Sequence, residues 1–452
     1  MKSSALVKHE KQNIHRTALE KFGLEPVPQE LKNTRWFEYA IMQFSYSPNA
    51  GNFLVPALAV TVGGLSFGWA FLSALFGASL SFIVFSIMSL PGSKYGIPSQ
   101  YAFRSFLGIN GARYISSPIR AIVLIYWFAV QTISGALFIQ VMLQKLGGLT
   151  IPLLPISLIM AILMSILSIV GYEAVRKITK YCLPVLIAGG IFALILFLTS
   201  QKESFYFAQV WNSPEATNKP LSMFLFASLA FVQFLSGSWS SSDLTRYAKT
   251  DRDAHWGLLI GNFFGYSFTA FLAIYSVSAT GEWNAYITAN ELTNSHLVGA
   301  VIFLAAMISM LLINMNNAYS GGYSLLNCFP SLGRLKSTIL FCLLGILLCF
   351  FPIFVSEAQR YISFLGYLAA PVVGVIFMEF VFMQKRTINL AVLDGSYRYN
   401  RRAITVIILG TILAFVLPEA WPVGLLTFGI VVLVYPFLSK FEEWKVRSYK
   451  NM

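Results

Sequence analysis

In the stretch "YWFAVQTISG", Tyr126 to Gly135, an indole and a carboxamide stand four residues apart, so Trp127 and Gln131 project from one helical face. An indole offers a flat apolar surface to a planar ring, and a carboxamide offers two donors and an acceptor to that ring's edge. Stacking a base on an aromatic side chain is worth about 1–3 kcal/mol. Taken alone, the pair serves equally well as a helix contact with a polar bond to a neighbouring helix. A second such segment is "AMISMLLINMNNAYSGGYSLLNCF", in which Asn314, Asn316 and Asn317 stand in the middle of an apolar run. An unsatisfied amide buried there costs roughly 2–7 kcal/mol, so these side chains must meet protein, water or ligand. Asn314, Asn317 and Gly321 share one face, which suits either a ligand or an interhelical hydrogen-bond ladder helped by "SGG".

Other chemistry is missing. The four histidines, His9, His15, His255 and His296, fall in expected tails or loops, so neither a His-based metal site nor a catalytic triad is expected. Cys182, Cys328, Cys342 and Cys349 lack CxxC spacing, and no GxxxxGK[ST] phosphate loop occurs. Glu38, Glu379, Asp243 and Arg120 lie near expected helix ends, leaving no charge at the centre of a candidate binding helix. A carrier of strongly charged solutes would keep a counter-charge there, so a neutral, planar, hydrogen-bonding solute fits better. The alternative class is a channel, but repeated filter segments and rings of charge are absent from the sequence.

The elements that must position these residues are membrane helices. With 56% hydrophobic and 11% charged residues, the chain is far more apolar than a soluble domain, which averages about 25% charged. Runs such as "FLSALFGASLSFIVFSIMSL" approach the ~20 apolar residues that cross a hydrocarbon core, and they lack the alternation of a barrel strand. Twelve spans are expected: 36 to 60, 65 to 90, 114 to 144, 151 to 171, 178 to 199, 221 to 241, 257 to 279, 297 to 325, 337 to 355, 359 to 382, 403 to 417 and 421 to 439. With the N-terminus inside, 28 of the 32 Lys and Arg fall on inner segments, leaving Lys145, Lys202, Lys219 and Arg360 outside. The net charge of +13 is therefore topological, both termini are expected in the cytoplasm, and no nucleic-acid partner is expected. Residues 1–35 carry no apolar core, so no cleavable signal peptide is expected and they read as a cytoplasmic tail.

Two spans are broken. "IMQFSYSPNAGNFLVPALAV" crowds Ser45, Ser47, Pro48, Asn49, Gly51 and Asn52 into mid-helix, where Pro48 removes a backbone donor. "FVQFLSGSWSSSDLTRYAK" repeats the anomaly in the sixth span with Gln233, Ser236, Gly237 and Ser238. Interruptions five helices apart predict two inverted five-helix repeats meeting at the site, an architecture of the leucine-transporter type. The core would run from 36 to 382, followed by a cytoplasmic loop at 383–402, two further helices at 403–439 and a cytoplasmic tail at 440–452. The two added helices are expected to serve packing or oligomer contacts, and "DLTRYAKTDRDAHW" reads as a solvated loop with a helix cap.

Four motifs in this order resemble the nucleobase cation symporter family, which includes cytosine, purine and allantoin permeases and hydantoin transporters. "YGIPSQYAFRSFLGINGA" is similar to that family's loop after the second span, through Gly96, Pro98, Ser99, Arg104, Phe106, Gly108 and Gly111. "WFAVQT" resembles its third-span segment, "SSSDLTRYAK" its signature ending the sixth span, and "NMNNAYS" the eighth span of its cytosine and purine branch. The resemblance implies Trp127 as the stacking aromatic, Gln131 as the edge-reading amide, Phe234 as the second aromatic plate and Gln233 as a hydrogen-bonding neighbour. Asn49, Asn314 and Asn317 complete the candidate substrate-binding set, while Arg104 and Asp243 fall where gate or packing residues stand.

The chain departs from the family at two places. Sodium-coupled members place two hydroxyl residues immediately before the Asn that aligns with Asn314, and here these are Leu312 and Ile313. Alkyl groups cannot ligate a hard cation, so proton coupling is expected, with sodium left open through carbonyls near Pro48 and Asn49. The substrate-reading Asn of some hydantoin-type members aligns with Ala318, which points away from that specificity. The expectation is a multi-pass cell-membrane symporter without cofactor. It would import a neutral nucleobase of cytosine or purine type, or alternatively an allantoin-like, hydantoin-like, pyrimidine or pyridoxine-type ring.

Overall fold

The computed structural model describes residues 22–169, 172–212, 220–395 and 397–450. Residues 1–21 of the expected N-terminal tail, with His9 and His15, lie outside the described residues, as do Lys219 and the last two residues of the C-terminal tail. Apart from one isolated bridge between Thr34 and Ala248, the regular structure among the described residues is helical. Among the described residues, eight helices are long and apolar enough to cross a membrane, and three shorter apolar helices accompany them.

The chain opens with α1 (Trp36–Tyr46) and α2 (Ala50–Thr61), followed by α3 (Phe67–Ile87), α4 (Ser117–Gly147), α5 (Leu153–Ser168) and α6 (Tyr172–Thr199). Next come α7 (Pro220–Ser238), the short α8 (Ser241–Thr245), α9 (Asp251–Thr280), α10 (Ala285–Leu292) and α11 (His296–Cys328). The order ends with α12 (Gly333–Leu348), α13 (Ala358–Met378), α14 (Arg401–Val416) and α15 (Val423–Lys450).

Between α1 and α2 the backbone turns through Ser47, Pro48 and Asn49. Asn49 is extended (φ −139°, ψ 161°) and caps α2, its Oδ1 accepting from Asn52 N at 2.9 Å. The second polar cluster behaves differently. Helix α7 runs through Gln233, Ser236 and Gly237 and stops only after Ser238. Ser236 Oγ donates to Gln233 O and Ser238 Oγ to Leu235 O, both at 2.6 Å, so these hydroxyls bond back within the helix they were expected to interrupt. The interruption falls one step later, at Trp239 and Ser240, before α8.

Helix α1 lies tightly on α9 because three glycines at four-residue spacing clear its path. A Cβ on Gly257 would sit 2.4 Å from Trp36 O, one on Gly261 2.5 Å from Ala40 O, and one on Gly265 2.7 Å from Ser47 Oγ. The added C-terminal helices pack on the core: the Phe231 and Phe428 ring centroids are 5.1 Å apart, and Leu425 N donates to Ser228 Oγ at 3.1 Å. Helix α15 thereby braces α7 and α13.

The expected solvated loop after the sixth span is largely interior. Asp243, Leu244, Thr245 and Arg246 are all buried, and Arg246 donates to Gly96 O, Glu25 O and Tyr323 Oη. Only its latter part behaves as expected, with Thr250 capping α9 through Asp253 N.

Candidate functional site

One cavity of about 80 Å³, partly open, lies where α1, α4, α7, α9 and α11 converge. Trp127, Gln131, Gln233, Phe234 and Asn317 all line it. Helix α4 runs through the core with most of this stretch buried, and steps of three and four from Leu124 through Trp127 to Gln131 form its cavity-facing stripe. Trp127 is 7% exposed and is backed by Tyr126, with ring centroids 5.3 Å apart. Phe234 is held edge-on by Phe82 at 4.7 Å and Tyr266 at 4.6 Å.

Gln131 reaches across to the break. Its Oε1 accepts from Gly51 N at 3.3 Å, one of the amides at the start of α2 that the helix itself leaves unpaired. Only glycine permits this approach, since a Cβ on residue 51 would meet Gln131 Nε2 at 2.5 Å. From the other side Gln233 Nε2 donates to Asn52 Oδ1 at 3.0 Å, and Asn52 Nδ2 donates to Ser47 O at 3.0 Å. The carbonyls freed by the break are thus answered by carboxamides rather than by lipid.

Two of the expected residues stand behind the cavity. Asn314 is fully buried, donating through Nδ2 to Phe128 O and Thr132 Oγ1 at 3.1 Å, while its Oδ1 accepts from Asn317 Nδ2 at 3.0 Å. Asn49 caps α2 and donates to Tyr46 O, an internal structural duty. Conversely, Gln43, Asn52, Asn262, Asn316, Ser236 and Ser240 line the cavity without having been singled out as binding residues. A lone carboxamide inside an apolar span was the available signal for Asn262.

The described lining contains no Asp, Glu, Lys, Arg or His. Just behind it Arg120 and Asp243 form a fully buried ion pair. Arg120 Nη2 also donates to the cavity residue Ser240 at 3.0 Å, and Asp243 Oδ1 accepts from Ser99 N at 2.7 Å. At the basic end of the bundle, Arg104 joins Asn327 at the end of α11 to Asp394 of the loop before α14. Burial lowers the Arg104 pKa while Asp394 opposes the shift, and burial together with the bond to Asp394 pushes Tyr101 up to about 12. Lys32, whose Nζ donates to Ser93 O at 3.0 Å, is pushed down by burial against the pull of Asp251.

Residues 26–435 match the family described as permeases for cytosine/purines, uracil, thiamine and allantoin. A hydantoin permease of Microbacterium maritypicum is 23% identical over 372 residues, covering 76% of this chain and 74% of the relative. An allantoin permease of Bacillus subtilis is 24% identical over 441 residues, covering 87% and 86%. Among solved structures, a nucleobase-cation-symport-1 family transporter, closed with bromovinylhydantoin bound, superposes with a TM-score of 0.75. Its identity is 17%, with 93% of this chain and 94% of that one covered. A Na+-coupled sialic acid symporter shares the fold at a TM-score of 0.63 and 13% identity, covering 94% and 93%.

Proposed function

The chain belongs to the family of permeases for cytosine/purines, uracil, thiamine and allantoin, and on that premise we propose that it imports a neutral planar nitrogen heterocycle by alternating access. It is a multi-pass membrane transporter and not an enzyme. The observation that carries the substrate reading is the uncharged cavity at the break between α1 and α2, which joins Trp127 and Phe234 to the carboxamides of Gln131, Gln233 and Asn317. Rings supply stacking area and carboxamides supply edge contacts, the pairing a small flat solute requires. The proposed frame is twelve spans in a cell membrane with both termini cytoplasmic, and two inverted five-helix repeats followed by α14 and α15.

A nucleobase of cytosine or purine type fits this site. A cyclic ureide is the second reading, favoured by relatives named as hydantoin and allantoin permeases. In our reading Trp127 and Phe234 stack the ring and Gln131, Gln233 and Asn317 contact its edge, while Asn314 and Asn49 position Asn317 and α2.

Proton coupling is proposed over sodium because Leu312 and Ile313 offer only alkyl groups before Asn314. The test is uptake of radiolabelled cytosine, hypoxanthine, hydantoin and allantoin into proteoliposomes with imposed gradients. Saturable uptake of at least one, driven by inward-directed protons without sodium, supports the proposal. A strict sodium requirement overturns the coupling, and currents without saturable uptake overturn the carrier reading.

A further inference from the structure

Away from the central cavity, α9 carries Arg252, Trp256, Ile260 and Phe264 at four-residue spacing, so a cation, an indole and two apolar side chains descend one face of that helix. Two hollows open along this face. The first, of about 310 Å³, is lined by Trp36 at the start of α1 and by Arg252, Asp253, Trp256 and Ile260. The second, of about 340 Å³, lies between α3 and α9, with Phe82, Ile83, Phe263 and Phe264 among its walls and Ile260 again at its edge. Because Ile260 lines both, they adjoin as one groove with a polar head and an apolar run. From Trp256 to Phe264 the helix rises about 12 Å, within the ~15 Å that one leaflet contributes to a hydrocarbon core.

The polar head pairs opposite charges. Arg252 is exposed and makes no hydrogen bond or ion pair with any described residue, which leaves its guanidinium fork for an outside anion. Asp253 is held in place, its Oδ1 accepting from Trp36 N at 2.9 Å and its Oδ2 from Thr250 Oγ1 at 2.6 Å, and a carboxylate so engaged still has lone pairs to offer. Trp36 and Trp256 are each about half exposed, the amphipathic side chains that settle at headgroup level.

We propose that this groove binds a phospholipid whose headgroup ends in a primary ammonium, of the phosphatidylethanolamine class. Arg252 takes the phosphate, Asp253 takes the ammonium, the two indoles flank the headgroup, and one acyl chain lies along Ile260, Ile83, Phe263 and Phe264. An anionic headgroup would satisfy Arg252 but bring no cation to Asp253. A choline would bring a cation without an N–H to donate. Phe82 both walls the apolar run and holds Phe234 edge-on at 4.7 Å, so the acyl chain packs one side chain away from an aromatic of the central cavity.

The test titrates the detergent-purified, delipidated full chain with dioleoyl phosphatidylethanolamine, its N-monomethyl and N-dimethyl forms, phosphatidylcholine and phosphatidylglycerol. Thermal shift gives apparent Kd, and native mass spectrometry gives the number of lipids retained. We expect phosphatidylethanolamine to bind tightest, with affinity falling at each methylation. Arg252→Gln, which breaks no bond within the protein, should keep the lipid-free Tm and weaken phosphatidylethanolamine binding about two- to fivefold. Asp253→Asn keeps an oxygen for Trp36 N and should erase the preference for ethanolamine over choline. Should that variant lower the lipid-free Tm, the methylation series and Arg252→Gln still decide. Equal Kd across the headgroups, tighter binding of phosphatidylglycerol, or wild-type affinity in Arg252→Gln overturns the proposal.

Discussion

Replacing Gly51 with alanine separates the site from the fold. The new Cβ would lie 2.5 Å from Gln131 Nε2, 2.6 Å from its Cδ and 2.8 Å from Oε1, where ordinary contact begins at 3.4 Å. The carboxamide must therefore retreat by about 0.9 Å, the difference between 3.4 and 2.5 Å. It is the far end of a flexible side chain and can move, so the helices need not. The move breaks the Gly51 N to Gln131 Oε1 bond and carries Nε2 away from the ligand edge it would serve. Alanine at the second residue of α2 meets a helical backbone without positive φ and gains roughly 0.5–1 kcal/mol of helix propensity over glycine. Leaving a ligand carbonyl unpaired costs about 1–3 kcal/mol, which is about 5- to 150-fold in affinity. The Gly51→Ala protein should thus keep or slightly raise its Tm while its Kd for the transported heterocycle rises by one to two orders of magnitude. Calorimetry on detergent-purified protein beside a ligand-free melting curve reads both quantities. Wild-type affinity in the variant would refute the role given to Gln131, and a fall in ligand-free Tm would refute the claim that the clash is confined to one side chain.

Asp243→Asn should lower stability by about 3–5 kcal/mol, because it leaves Arg120 charged and fully buried without its counter-ion. Arg120→Met combined with Asp243→Leu should melt above either single variant, and additive losses would contradict this. Gly261→Val should cost about 1–3 kcal/mol or more, since even its Cβ would sit 2.5 Å from Ala40 O, a backbone atom that moves only with α1. Its melting curve should fall below that of Gly281→Val, whose Cβ would meet nothing within 4 Å even though φ there is +78°. Tyr101 is held protonated in the folded chain up to about 12, against an ordinary value near 10, so the folded state binds the extra proton. Its contribution is present below about pH 10 and is lost as pH rises toward 12. Tyr101→Phe should accordingly flatten the alkaline fall in Tm relative to wild type, and superimposable pH profiles would contradict it.

What the sequence makes legible follows from how local each signal is. Apolar runs announce their helices because hydrocarbon tolerates nothing else there. The first interruption is legible because Pro48 deletes a donor at a known atom. The second is misplaced because serine hydroxyls close their own bonds to carbonyls three residues back, and sequence alone does not say whether a serine breaks a helix or patches it. The Gly257, Gly261 and Gly265 stripe is written openly as small residues at fourfold spacing, yet its partner is not, since nothing local says that α1 lies against it. The spacing of Asn314 and Asn317 makes their shared face legible, as their mutual bond shows, but not their order of depth. Which amide stands deeper is decided by Phe128 O and Thr132 Oγ1, which accept from Asn314 and belong to another helix.

The same long-range bonds tie the cavity to α2, α4, α7 and α11. Gln131 on α4 holds the first turn of α2, Asn52 in that turn holds Gln233 of α7, and Asn314 on α11 holds both α4 and the cavity residue Asn317. A solute lying between these carboxamides would connect the broken segment to α4 and α11 with hydrogen bonds of the kind the protein already uses there. Any opening that moved α2 away from α4 would have to break the Gly51 to Gln131 bond and free Gln131 Oε1.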